Sequence, residues 1–147
     1  MGPSANSSTA KPIRILLVED NDAHTKLILR AIEEAGIAVL TLTEGLEKDE
    51  FLASRLTRAE TLRQVQSISD GAASISAQTQ GALPEVDWRG WSAVARQLGE
   101  GREAQAEALW FAVRSLVPAT LMWLRVYRKN QPQVFANKPY LTHGARP

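Results

Sequence analysis

Apolar residues recur at three- and four-residue intervals through the C-terminal two-thirds of the chain, in blocks closed by Gly or Pro. In Arg58–Gln78 the residues Leu62, Val65, Ile68, Ala72 and Ile75 share one helical face, and Gly81 and Pro84 stop the run. Asp87 is a good N-cap for a helix over Trp88–Leu98, and the turn Gly99-Glu100-Gly101 ends it. Ala104–Val117 carries Ala108, Leu109, Phe111, Ala112 and Leu116. Pro118 stands where a further helix can start, with Leu121, Met122, Leu124 and Val126 taking it to about Asn130. Glu47–Leu56 also reads as helical. Such a pattern predicts a mainly α fold, an antiparallel bundle of four or five helices.

The first third reads differently. Ile13–Val18 is a short β-branched and Leu run without alternation, which suits a strand buried on both faces. Asp22 can then cap a helix in which Leu27, Ile28, Ala31, Ile32 and Ala35 recur until Gly36. Ile37–Thr43 either forms a second strand or continues that helix, since Gly36 is the one breaker between them. A short β or βα extension at the N-terminal end of the bundle is the corresponding expectation. Met1–Lys11 is small and polar and predicts a disordered leader, with no apolar stretch of a secretory signal. Residues 131–147 show no periodicity and predict a flexible tail.

Composition narrows the chemistry. The 147 residues include 17 Lys+Arg against 16 Asp+Glu, a net charge of +1, which argues against a general nucleic-acid coat protein. Cysteine is absent, which excludes a disulfide scaffold, a thiolate metal site and a Cys nucleophile, and fits a reducing, cytoplasmic setting. No uninterrupted apolar run, Ile15–Val18 included, approaches the ~20 residues of a membrane span. Trp88, Trp91, Trp110 and Trp123 have Leu and Val neighbours at helical spacing, which favours core or interface positions over base-stacking platforms.

Two family resemblances follow from particular residues. Ile13-Arg14-Ile15-Leu16-Leu17-Val18-Glu19-Asp20-Asn21, with the helix ending Glu33-Glu34-Ala35-Gly36, resembles the start of a response-regulator receiver domain over residues 12–45. That resemblance implies Mg²⁺ held by Glu19 and Asp20 in a phosphorelay. The acceptor Asp is missing from it, because Asp49, Asp70 and Asp87 follow no strand-like run. Lys138-Pro139 is similar to that family's Lys-Pro pair, but no strand precedes it.

Thr43-Glu44-Gly45-Leu46, Asp49-Glu50-Phe51-Leu52, Pro84-Glu85-Val86-Asp87-Trp88-Arg89-Gly90, then Trp110, Val113 and Pro118, resemble the HepT-like, or HEPN, helical proteins from about residue 41 to 127. The resemblance implies a helical bundle that forms a homodimer. The family's active members are ribonuclease toxins, restrained by a nucleotidyltransferase-type antitoxin, and use no cofactor. Residues 43–130 would form the HepT-like domain. Ala23–Leu42, within the receiver-like start 12–42, would replace the family's first helix and bury Ile28, Ile32 and Val39. Family members carry an Arg and a polar residue, then a His and a Tyr. Counted without gaps, Ala95 stands at the Arg place, Arg96 at the polar place, Glu100 at the His place and Arg102 at the Tyr place. A slip of one residue makes Arg96 the Arg, but the histidines are His24 and His143 only. Glu100 could take over proton transfer only if buried, and a Gly-flanked turn is a poor place for burial. The expectation is a degenerate ribonuclease motif at Arg96, Glu100 and Arg102, acting by partner binding with weak RNA binding at most. The three Arg residues Arg89, Arg96 and Arg102 serve equally as an RNA-facing patch or as a solvated face.

Overall fold

A computed structural model describes residues 2–132, with side chains for residues 23–132. Its elements are α1 (Gly2–Thr43), α2 (Lys48–Ala53), α3 (Arg55–Ser74), α4 (Ala77–Ala82), α5 (Trp88–Leu98), α6 (Arg102–Phe111), a π-helical segment (Ala112–Leu116) and α7 (Val117–Asn130). The last three run on as one rod. With α1, α3 and α5 it forms an antiparallel bundle, mainly α as the periodicity predicts, and the described residues include no strand.

The core follows the predicted stripes. Val65, Ile68 and Ala72 of α3, Trp91, Val94 and Leu98 of α5, and Leu109, Leu116, Val117 and Leu124 of the rod are buried. Burying one such large apolar side chain is worth about 1.5–3 kcal/mol. From α1 come Leu29, Ile32, Ala35 and Val39, with Ile28 partly covered, so the C-terminal half of α1 packs into the bundle core. The one buried polar link between side chains of the rod and α5 runs from Trp91 Nε1 to Thr120 Oγ1, 3.0 Å.

Two expectations are corrected, at Ile13–Val18 and Arg58–Gln78, and the alternative left open at Ile37–Thr43 is settled as helix. The run Ile13–Val18, expected as a strand of a β or βα extension, lies inside α1. A short apolar run does not by itself separate strand from helix, and a lone strand would leave its backbone unpaired. Ile37–Thr43 is likewise helix, because Gly36 does not stop α1. A Cβ built on Gly36 would meet the Leu121 side chain at 2.9 Å, so this glycine allows close packing on α7. The stop comes at Gly45, whose φ of 77° favours glycine.

The helix expected over Arg58–Gln78 breaks at Ile75, which is extended and buried. Ser76 caps α4 by accepting from Thr79 N, 3.2 Å, while Gln80 Nε2 donates to Ala72 O and Ile75 O at the end of α3. Pro118 falls in the first turn of α7, where the sequence places a helix start, although α7 runs on from the π-helical segment without a break. The proline cannot donate to the carbonyl four residues back, and the rod widens just before it, with the Val117 N–H bonded to Ala112 O.

The rod Arg102–Asn130 is long and apolar enough, by length and composition, to cross a membrane, but its buried side chains belong to the bundle core. The tail from residue 133, with Lys138, Pro139 and His143, lies outside the described residues.

Candidate functional site

The degenerate motif falls at the turn from α5 to α6. Asp87 starts α5 by accepting from Gly90 N at 2.8 Å, and Arg96 stands in its last turn, where a cation complements the negative helix end. Gly99 caps α5, and Gly101, with φ at 108°, swings the chain into α6. Glu100 N bonds Gln97 O at 3.1 Å and Gln105 N bonds Gly101 O at 2.9 Å. Gln105 Nε2 reaches back to Leu98 O, 3.1 Å, and ties the turn together.

Arg96, Glu100 and Arg102 are all exposed. Arg102 opens α6, and no side chain caps the N–H groups there. Arg102 opposes the helix dipole at this N-terminus, while Glu103 in the same turn complements it. Burial is the route by which a carboxylate takes over proton transfer near neutral pH, and Glu100 lacks it. Arg89 lies seven residues before Arg96 on α5, two helical turns away on the same exposed side. Arg89 and Arg96 thus share one exposed side of α5 but stand near its opposite ends, and Arg102 follows across the turn on α6.

Beside this turn lies a cleft of about 380 Å³ between α3 and α5, lined by Gln66, Ser69, Asp70, Ala95, Leu98 and Gly99. Ser69 is buried there and its hydroxyl has no hydrogen-bond partner. The sequence gives no signal for this cleft, because Ser69 and Asp70 simply fill positions in a helical pattern. A second cleft, about 540 Å³, brings Glu85, Asp87, Trp88 and Arg89 together at the start of α5.

The tryptophans pack as the core reading expects. Trp91 is buried, and Trp88 Nε1 donates to Leu83 O at 2.9 Å. Trp110 lies 5.6 Å from the Phe51 ring, with the Arg114 guanidinium also 5.6 Å from its centroid. Trp123 stands 6.2 Å from Tyr127. The Tyr127 hydroxyl donates to Glu85 and accepts from Glu85 N at 2.9 Å, a link between α7 and the loop before α5 that the sequence did not announce.

Glu19 and Asp20, which the receiver resemblance assigns to Mg²⁺, fall inside α1, and their side chains lie outside the described ones. Among the described residues no group of three His, Asp or Glu side chains is placed to hold a metal. His24 is exposed on α1. No family model matches the chain, and no solved structure matches it.

Proposed function

We propose that this chain is a HepT-like protein of the toxin–antitoxin type that binds partners and RNA phosphates weakly but does not cleave RNA. The observation that carries the reading is the exposed α6 N-terminus, uncapped by any side chain and bearing Arg102, one turn past Arg96. Backbone N–H groups at a helix start, with guanidinium groups beside them, suit a phosphate. Each charge-assisted contact is worth roughly 1.5–3 kcal/mol. Cleavage needs more: a group that moves a proton near neutral pH contributes about 10²–10⁴-fold. An exposed Glu100 where the family has His does not supply it. On this reading the chain works in the cytoplasm as a homodimer, opposite a nucleotidyltransferase-type antitoxin, with no cofactor.

The test is RNA binding and cleavage by the purified full chain across a salt series. Expected are weak, salt-sensitive retention and no cleavage, with Arg96→Ala and Arg102→Ala each flattening the salt slope by about 0.7 on single strands. The triple substitution Ala95→Arg, Glu100→His and Arg102→Tyr is expected to restore cleavage. Robust cleavage by the unaltered protein, abolished by Glu100→Gln, would overturn the reading, as would RNA retention indifferent to salt.

A further inference from the structure

The cleft between α3 and α5 is lined by polar groups that the fold leaves unused. Asp70 and Gln66 are exposed along its α3 wall. Among the described residues, neither the Asp70 carboxylate nor the Gln66 amide takes part in a side-chain hydrogen bond or ion pair. Ser69, between them in sequence, is 4% exposed and its hydroxyl has no partner. Native proteins keep few such buried groups, because an unmade hydrogen bond in the interior is costly.

A fourth acceptor comes from the backbone of the opposite wall. In an unbroken α-helix the Gly99 N–H would bond Ala95 O, four residues back. It turns to Arg96 O instead, 3.2 Å, while Gln105 Nε2 occupies Leu98 O at 3.1 Å. Ala95 O is thus one of the last-turn carbonyls that α5 leaves unbonded. Ala95, Leu98 and Gly99, which surround it, all line the cleft. The negative end of the α5 dipole lies there as well.

The cations nearby do not fill the cleft. Arg63, one turn before Gln66, forks onto the Glu60 carboxylate, 3.1 Å through Nε and 3.1 Å through Nη2. Arg96 follows Ala95 by one residue and so leaves α5 about 100° around the helix. Arg89 lines the separate cleft at the start of α5, and Arg102 opens α6 beside Glu103. Glu100, just past Gly99, adds a second exposed carboxylate to this end of α5.

A ligand that answers these acceptors brings positive charge and several donors. A hard divalent cation takes six or more oxygens, usually with more than one carboxylate, and no group of three acidic or His side chains is assembled among the described residues. An ammonium group is a compact charge with three donors, able to reach acceptors on both walls at once. Ala95 and Leu98 give its alkyl stem an apolar side to lie on. We propose that the α3–α5 cleft binds a small aliphatic primary amine, its ammonium held among the Asp70 carboxylate, the Ser69 hydroxyl and Ala95 O, with Gln66 beside them. The proposal uses neither Arg96 nor Arg102 and stands apart from the RNA and antitoxin reading.

Titration of the isotope-labelled full chain with n-butylammonium chloride at constant ionic strength, followed by amide NMR shifts, tests it. Saturable shifts are expected at Gln66, Ser69, Asp70, Ala95 and Gly99, and none with tetramethylammonium, which carries the charge but no N–H. Asp70→Asn removes a charge-assisted contact and is expected to weaken binding about tenfold or more. Ser69→Ala is expected to weaken it several-fold yet raise the urea midpoint of the free chain, a pair of effects that a purely structural serine would not show. Ala95→Leu is expected to fill the cleft and abolish binding with the helical circular dichroism unchanged. Shifts that never saturate, or that tetramethylammonium or NaCl reproduces, would overturn the proposal, and so would undiminished binding in Asp70→Asn. RNA retention is read separately on the same chain, so failure of either reading leaves the other standing.

Discussion

Tyr127 joins two distant segments through a single oxygen, and its ionisation measures that junction. Burial pushes its pKa up to about 12, helped by the hydrogen bond it donates to Glu85 and by the negative charge of that carboxylate. The folded state therefore favours the neutral phenol. This contribution is complete below about pH 10, the unfolded value, and is lost as pH climbs toward 12, amounting to about 2–3 kcal/mol. Urea unfolding at pH 9 and pH 11.5 is expected to show a smaller loss of stability with pH in Tyr127→Phe than in the parent. Two other hydroxyls make the opposite case. Thr61 and Ser69 of α3 are buried with unpartnered oxygens. An unmade hydrogen bond in the interior costs about 1–3 kcal/mol, and an apolar isostere removes the cost. Thr61→Val is expected to raise the urea midpoint, corresponding to about 1 kcal/mol, with the m-value unchanged.

Helices were legible where sequence-local forces set them, and misread where packing did. Asp87 and Gly99 bracket α5 in both sequence and structure, because a cap and a helix stop act within one turn. The Glu47 and Glu50 capping box likewise starts α2 where the pattern put a helix. Gly36 left two readings open because a glycine inside a helix looks the same in sequence whether it stops the chain or admits a neighbour. Only Leu121, far along the chain, distinguishes the two. Gly36→Leu is accordingly expected to destabilise the fold by about 1–3 kcal/mol through overpacking, read by urea unfolding, although leucine is the better helix former. The candidate turn was legible to the same degree. Gly99, Glu100 and Gly101 placed Arg96 and Arg102 on either side of it, but no periodicity could reveal the cleft at Ser69, which needs α3 and α5 side by side.

At the scale of the molecule, four long rods share one core, and the order of the sequence is nearly the order of packing. The rod from Arg102 to Asn130 is the exception, since it touches α5 early and α1 late. Its π-helical segment, Ala112–Leu116, makes that possible in a way best put as phase. One wide turn takes up about one residue more than an α-turn would, so α7 leaves it rotated by about 100° from the heading α6 would have given it. Leu109 before it and Leu124 after it are both buried. The segment thus acts as a one-residue shim: the wide turn absorbs the extra residue, and the helix on either side keeps its face toward the core. Deleting Ser115 is expected to close the wide turn into an ordinary α-turn and to leave Leu124, Thr120 and Tyr127 on their buried face, so thermal unfolding stays cooperative. Inserting one alanine after Ser115 is expected instead to turn all three by about 100° away from their neighbours and to cost the transition its cooperativity.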